Sequence, residues 1–373
     1  MKISLLTSSR ADYGIYLPLL KKLSKNKQYK LQIIAFGTHL SPFHGLTIKN
    51  ILSDGFKIAH SIESMVAADS AEAIATAMAL TTMKFSSLWA LLHKKTDLII
   101  CLGDRYEMFA AVSASIPFNI PVAHFYGGET TLGAIDNKFR HAITQMATYH
   151  FVATAQYAQT VAALTNNSPF IYNVGALSLD NLENIALINM EEFKSTYNID
   201  MKNKTMLVTF HPETVSAELN YMYVKELISA LSKISYQIII TMPNADTMGS
   251  RIRTELLLFA KQNPNRVFAI ENFGTQGYFS CMALCSFLLG NTSSGIIEAA
   301  SFGKYVINLG NRQKGRACSN NVLHTPIKCK NILAAIKQVE KLPPYSGDNI
   351  YYKGNASQKI IDILQSLPVA ATP

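Results

Sequence analysis

The loop YGGETTLGAIDNKFRH, Tyr126 to His141, carries Glu129 and Asp136 with Arg140 and His141 directly beyond them. It follows a strand-like PVAH, and Phe139, Ile143 and Met146 then recur at helical spacing, so a strand end gives way here to a helix. Carboxylates in a partly desolvated setting have tunable proton affinity, which suits them to act as an acid and a base. Neighbouring cations can stabilise a departing anion. Asp104, in LGDRYE after another apolar run, is a third candidate of the same kind. Each has a plainer alternative: Asp136 as a helix N-cap, Glu129 as a loop carboxylate, Asp104 as a partner for Arg105.

Other apolar runs end in the same way. Arg10, Asp12 and Tyr13 lie in TSSRADYG, His39 in GTHLSP, His124 and Tyr126 in PVAHFYGG, His211 and Glu213 in FHPET, and Asn244 and Asp246 in MPNAD. GNTSSGIIE follows a strand and opens a helix, where backbone N–H groups and the hydroxyls of Thr292, Ser293 and Ser294 suit a diphosphate. The same three residues can equally be N-caps. Arg10 and Arg312, the latter in GNRQKGR, offer fork-like donors for nucleotide phosphates, with a surface ion pair as the alternative for each. Arg105 reads as a phosphate ligand or as an orienting partner for its neighbours. His211, taken alone, reads as a satisfied core histidine.

The elements that must position these residues follow a rhythm. Apolar runs KISLLTS, LQIIAFG, DLIICLG, PVAHFYGG, HFVAT and FIYNVGA are separated by segments of helical period, the pattern of a parallel sheet with crossover helices. After Ala176 the rhythm restarts with TMLVTFHP, YQIIITMP, RVFAIENF, FLLGNTSS and YVINLGN. The expectation is two doubly wound Rossmann-like α/β domains, residues 1–176 with the acid/base candidates and 177–350 with the nucleotide-binding ones. An amphipathic helix within 351–373 is expected to pack back on the first domain. In such sheets ligands bind at the carboxyl ends of the strands, here expected to face a cleft between the domains.

Composition sets the outer limits. The 373 residues are 49% hydrophobic and 16% charged, as in a folded globular protein. The N-terminal apolar run is too short for a signal peptide, and no run has the length of a membrane span, so a cytoplasmic protein without membrane attachment is expected. The net charge of +9 favours an anionic partner. The basic residues are dispersed, which points to a phosphorylated small molecule and away from nucleic acid. Five scattered cysteines suit a reducing compartment; Cys281 and Cys285 read as buried small side chains, and no metal site or cofactor is expected.

The segments TSSRADYG, GTHLSP, LGDRYEMFA, GGETTLGAIDNKFRHAIT, FHPET, GNTSSGIIEAASFG and INLGNRQKGR, in this order, resemble the hydrolysing UDP-N-acetylglucosamine 2-epimerases. That family includes 2-epimerases acting on nucleotide-linked N,N'-diacetylbacillosamine. The resemblance implies a glycosyltransferase-B-like architecture, a nucleotide-sugar substrate, release of N-acetylmannosamine and UDP for sialic-acid-type sugar synthesis, and a homodimer or homotetramer. It places phosphate on Thr292 and Ser293, the ribose hydroxyls on Glu298, and the diphosphate or sugar opposite His211. Asp104 and Asp136 become the main acid/base pair, with Glu129 supporting. His39, His124, Tyr126, Arg140 and His141 become sugar-binding or supporting residues.

Such an enzyme must move a proton at C2, where no carbonyl acidifies it. Elimination of UDP to 2-acetamidoglucal, followed by hydration, solves this and needs a base on one face and an acid on the other. The chain departs from the family at Tyr126, where some members carry Glu and others His; a role for that residue would fall here to Tyr126, His124 or Glu129. Two alternatives share these motifs: the same reaction on a UDP- or GDP-linked diacetylbacillosamine, and a glycosyltransferase of the same fold.

Overall fold

The computed structural model describes residues 1–373 except 67, 69, 133–134, 214–216, 243–248, 272 and 368–373. Asn244 and Asp246 lie outside the described residues. Among these residues the first sheet contains β1 (Lys2–Thr7), β2 (Lys30–Phe36), β3 (Ile58–Ile62), β4 (Leu98–Leu102), β5 (Val122–Phe125), β6 (Tyr149–Val152) and β7 (Ile171–Asn173). Their order is β3-β2-β1-β4-β5-β6-β7, and all pairs are parallel. The second sheet contains β8 (Thr205–Thr209), β9 (Gln237–Thr241), β10 (Val267–Ile270), β11 (Phe287–Gly290), β12 (Val306–Leu309) and β13 (Val322–Thr325). It is parallel too, in the order β10-β9-β8-β11-β12-β13.

Both orders reverse direction beside their first strand, between β1 and β4 and between β8 and β11. At such a switch point the loops leave the strand ends in opposite directions and open a crevice. Burial explains why the strands read as unbroken apolar runs. In the second sheet Val208, Ile238 and Leu289 join one core with Leu227, Leu256 and Ile336. Their neighbours Leu207, Ile239 and Leu288 join another with Phe193 and Met282. Successive side chains point to opposite faces, so a sheet covered on both sides needs apolar residues at every position. Cys281 and Cys285 lie in that second core, where burial pushes both thiols up. On the first sheet Phe36 of β2 packs with Phe85 and Trp89 of helix Ala71–Leu92 as the aromatic centre of the core, and Trp89 donates to the Ala111 carbonyl at 3.0 Å.

The chain divides into two compact units, Met1–Glu129 with Asp136–Glu183 and Tyr351–Pro373, and Thr130–Ile135 with Asn184–Ile350. In the first unit, helix Ala356–Ser366 is capped from a distance: the Asp180 carboxylate accepts from Ala356 N at 2.8 Å and Ser357 N at 2.6 Å. The same helix meets helix Arg10–Lys25 through Lys22 and Gln358 at 2.9 Å, and the hydroxyls of Tyr157 and Tyr351 bond at 2.7 Å. No helix among the described residues is long and apolar enough to cross a membrane.

Candidate active site

At the switch point of the first sheet, the turn after β1 is built around Asp12. Its carboxylate accepts from Thr7 Oγ1 at 2.7 Å, Ser8 N at 2.8 Å, Ser8 Oγ at 2.9 Å and Ser9 N at 3.0 Å. Burial raises its proton affinity, but the His39 contact and these donors more than offset that, leaving the pKa below the ordinary value. Asp12 thus reads as the residue that shapes the loop. His39 buttresses it: one ring nitrogen lies 2.9 Å from Thr7 Oγ1 and the other 2.9 Å from Thr47 Oγ1. Arg10, the first residue of helix Arg10–Lys25, is exposed beside this turn.

The turn after β4 and the loop after β5 converge on Arg140, which is 3% exposed. Its Nη2 pairs with the Asp104 carboxylate, and its Nη1 donates to the Glu129 carbonyl at 2.9 Å. One guanidinium therefore fixes the ends of two neighbouring strands. Glu129 is itself buried. Asp136 opens helix Asp136–Met146, and its carboxyl is pushed up to about 6, first by burial and then by the charge of Asp104, against the opposing pull of Arg105 and Arg140. A carboxylate with that proton affinity is mostly ionised at neutral pH yet remains a competent base. Arg105 forks onto buried Glu107 through Nε at 3.3 Å and Nη2 at 3.1 Å, which orients it at the start of helix Tyr106–Ser113.

The histidines nearby have other occupations. His124 is buried on β5, with Nε2 2.8 Å from the Gly103 carbonyl and Nδ1 3.2 Å from Thr144 Oγ1. Burial holds its pKa down at about 3, with the neighbouring His150 and Arg140 adding to that and the Gly103 carbonyl opposing it. A ring in this state ties the β4 turn to the helix after β5. His141 sits 3.2 Å from the Asn137 amide, and burial and then Arg140 lower its pKa. The Tyr126 hydroxyl accepts from the Ser178 amide at 3.2 Å, and its backbone holds φ +63°, a strained value for an aromatic residue. The strain turns the chain abruptly at the end of β5 into the loop that carries Glu129.

At the switch point of the second sheet, the loops are knitted by side chains. Asn291, buried just after β11, accepts from His211 N at 2.7 Å and donates to the His211 carbonyl at 2.9 Å. Its own carbonyl receives Gln313 Nε2 at 2.8 Å and Arg312 Nη1 at 3.2 Å. Glu213 is held against Asn220 through its backbone and accepts Asn311 N on Oε1 at 2.6 Å. Three loops, after β8, β11 and β12, thus form one preorganised platform that includes His211 and Arg312. Thr292 caps helix Ser293–Ile297 by accepting the Ser294 amide, and Ser293 and Ser294 stand partly exposed at its start. That helix is only five residues long. Its N–H groups and hydroxyls remain good anion donors, while its macrodipole contributes little. Glu298, 6% exposed, ends it.

The sequence reading missed Asn291 and Gln313 as organisers. A buried amide bonding backbone on another loop has no local pattern, and the only signal was a polar residue in GNTSSG immediately after an apolar run.

The UDP-N-acetylglucosamine 2-epimerase family model matches residues 21–365. A relative from Legionella pneumophila, UDP-N,N'-diacetylbacillosamine 2-epimerase (hydrolyzing), is 32% identical over 99% of this chain and 96% of its own. A GDP/UDP-N,N'-diacetylbacillosamine 2-epimerase (hydrolyzing) from Campylobacter jejuni is 33% identical over 87% and 84% respectively. The crystal structure of UDP-GlcNAc 2-epimerase from Neisseria meningitidis, bound to UDP-GlcNAc, superposes with a TM-score of 0.81 at 16% identity, covering 98% of this chain and 100% of that one. The two parallel sheets have the glycosyltransferase-B-like fold of that structure. The chain belongs to the UDP-N-acetylglucosamine 2-epimerase family.

Proposed function

We propose that this family member hydrolyses a UDP-linked 2-acetamido sugar with inversion at C2, UDP-N-acetylglucosamine in the first reading. The observation that carries this is Arg140, which holds the Asp104 carboxylate and the Glu129 carbonyl beside Asp136, whose carboxyl is pushed up to about 6 by burial and by the charge of Asp104. Proton transfer falls to Asp104, Glu129 and Asp136, and diphosphate and ribose contacts fall to Thr292, Ser293, Ser294, Glu298 and Arg312, with His211 facing the diphosphate or sugar. Arg10 adds a phosphate donor. A carboxylate removes the C2 proton, the C1–O bond breaks, and UDP leaves with the bonding pair. The 2-acetamidoglucal then takes hydroxide at C1 and a proton at C2 from the opposite face. The products are N-acetylmannosamine and UDP. Carbon undergoes no net oxidation, so the route requires no redox cofactor.

A second reading, the same reaction on UDP- or GDP-N,N'-diacetylbacillosamine, is favoured by the two relatives that carry that name. Incubation with each nucleotide sugar in D₂O, without any acceptor, separates the readings. The expected product is a free sugar carrying deuterium at C2, seen by NMR. A product that keeps its original C2 hydrogen would mean direct hydrolysis, and turnover only with an added acceptor would mean glycosyl transfer.

The nucleotide contacts have their own test. Ser293→Ala and Glu298→Ala should each weaken UDP binding about tenfold or more, since hydrogen bonds involving a charged group contribute about 1.5–3 kcal/mol. Calorimetric titration with wild-type affinity for both variants would remove these residues from the site. A cytoplasmic location and a homodimer or homotetramer belong to the same proposal, supported by five unpaired cysteines and by the family resemblance.

A further inference from the structure

Segment Thr130–Ile135 lies in the loop between β5 and helix Asp136–Met146, yet it groups with the second unit. The chain leaves the first unit immediately after Glu129 and re-enters it at Asp136, so both carboxylates are one peptide bond from this segment. Within the second unit the segment is seated on the stretch after β12. Leu132 N donates to the Lys314 carbonyl at 3.0 Å. Gly315 has φ +88°, and a Cβ placed there would stand 2.8 Å from Thr130 Cγ2 and 3.4 Å from Leu132 Cγ. That stretch is the one whose Asn311, Arg312 and Gln313 are bonded to Glu213 and Asn291.

We propose that Gly315 is a positioning residue: by admitting Thr130 against its bare Cα it seats the Thr130–Leu132 segment on the nucleotide platform and so sets the placement of Glu129 and Asp136. This rests on the epimerase reading above. Thr130 is β-branched and its methyl is close to the backbone, so it cannot yield to an added Cβ without the segment retreating. The Leu132 to Lys314 hydrogen bond lengthens in that event. The carboxylates lose their placement while the phosphate donors of Thr292 and Ser293 keep theirs.

The test combines one substitution, one rescue and one readout independent of turnover. Gly315→Ala should lower kcat about 10–100-fold, the cost of misplacing groups by about an ångström, with UDP affinity held within about twofold. Amide hydrogen exchange at Leu132 should be slow in the wild type and markedly faster in Gly315→Ala. Thr130→Ser removes the opposing methyl, so Gly315→Ala/Thr130→Ser should recover most of the lost kcat and Leu132 protection; the positive-φ cost is the same in both variants and cannot produce that recovery. An unchanged kcat, a parallel loss of UDP affinity, or no rescue would overturn the assignment. If the wild type turns over neither nucleotide sugar, the epimerase reading fails by itself, and Leu132 exchange still decides whether Gly315 seats the segment.

Discussion

Asp136→Asn should bind UDP as the wild type does and lose about 10²–10⁴-fold in turnover, the usual contribution of a general acid or base. The wild-type kcat/KM should fall as pH drops through about 6, where the Asp136 carboxylate takes up its proton. Asp104→Asn should also be slow, and its residual activity should carry a second mark. The Asp104 charge is one of the causes that raise Asp136, so removing it moves the acid limb to lower pH. Stability follows the opposite sign. A carboxyl whose folded pKa lies above its unfolded value contributes stability below the unfolded pKa and loses it as pH rises through the folded one. At pH 7 the ionised, half-buried Asp136 is therefore destabilising, and Asp136→Asn should melt at or above the wild-type temperature. Near-normal rates in both variants, or an Asp136→Asn protein that is inactive because it unfolds, would contradict the role.

Gly290→Ala should be the most damaging single-methyl change in the second unit. Gly290 has φ +146°, pairs with Thr209 across β8 and β11, and leaves room for no side chain: an added Cβ would lie 1.9 Å from the Thr209 carbonyl oxygen. The obstacle is backbone of the adjacent strand, so the two strands must part where Asn291 clamps His211. A loss of about 3 kcal/mol or more is expected, at or above the upper range of overpacking. Urea unfolding should show an early transition, and UDP binding should be lost with it. A variant with unchanged midpoint and affinity would show that the close approach is dispensable.

Most of the strands that could be read from sequence are interior strands buried on both faces; the edge strands β7 and β10 were legible as well, from the apolar runs FIYNVGA and RVFAIENF. Eleven apolar runs correspond to β1, β2, β4 to β7 and β8 to β12. The two that were missed, β3 with IAHSI and β13 with VLHT, are edge strands with partly exposed residues throughout, so their sequences carry polar side chains among the apolar ones. The candidate site divides in the same way. Asp104, Glu129 and Asp136 were legible because each follows an apolar run. The position of Arg140 at the centre was not, because its partners lie in sequence-distant turns and only the register of β4 against β5 brings them together. Asp12 and His124 show the converse: chemically suggestive residues whose bonding capacity is used in holding their loops.

The cap that Asp180 places on helix Ala356–Ser366 bears on the order of events during synthesis. The second unit lies almost wholly in one stretch of chain, Asn184–Ile350, and can close as soon as that stretch is made. The first unit, although begun at the ribosome before it, lacks the partner of helix Arg10–Lys25 and the Tyr351 hydroxyl for Tyr157 until Tyr351 and helix Ala356–Ser366 emerge. Domains of a nascent chain ordinarily finish from the N-terminus onward. Here the half made first is the half completed last, and in the interval its unfinished flank is open to chaperones and to premature association with other nascent copies.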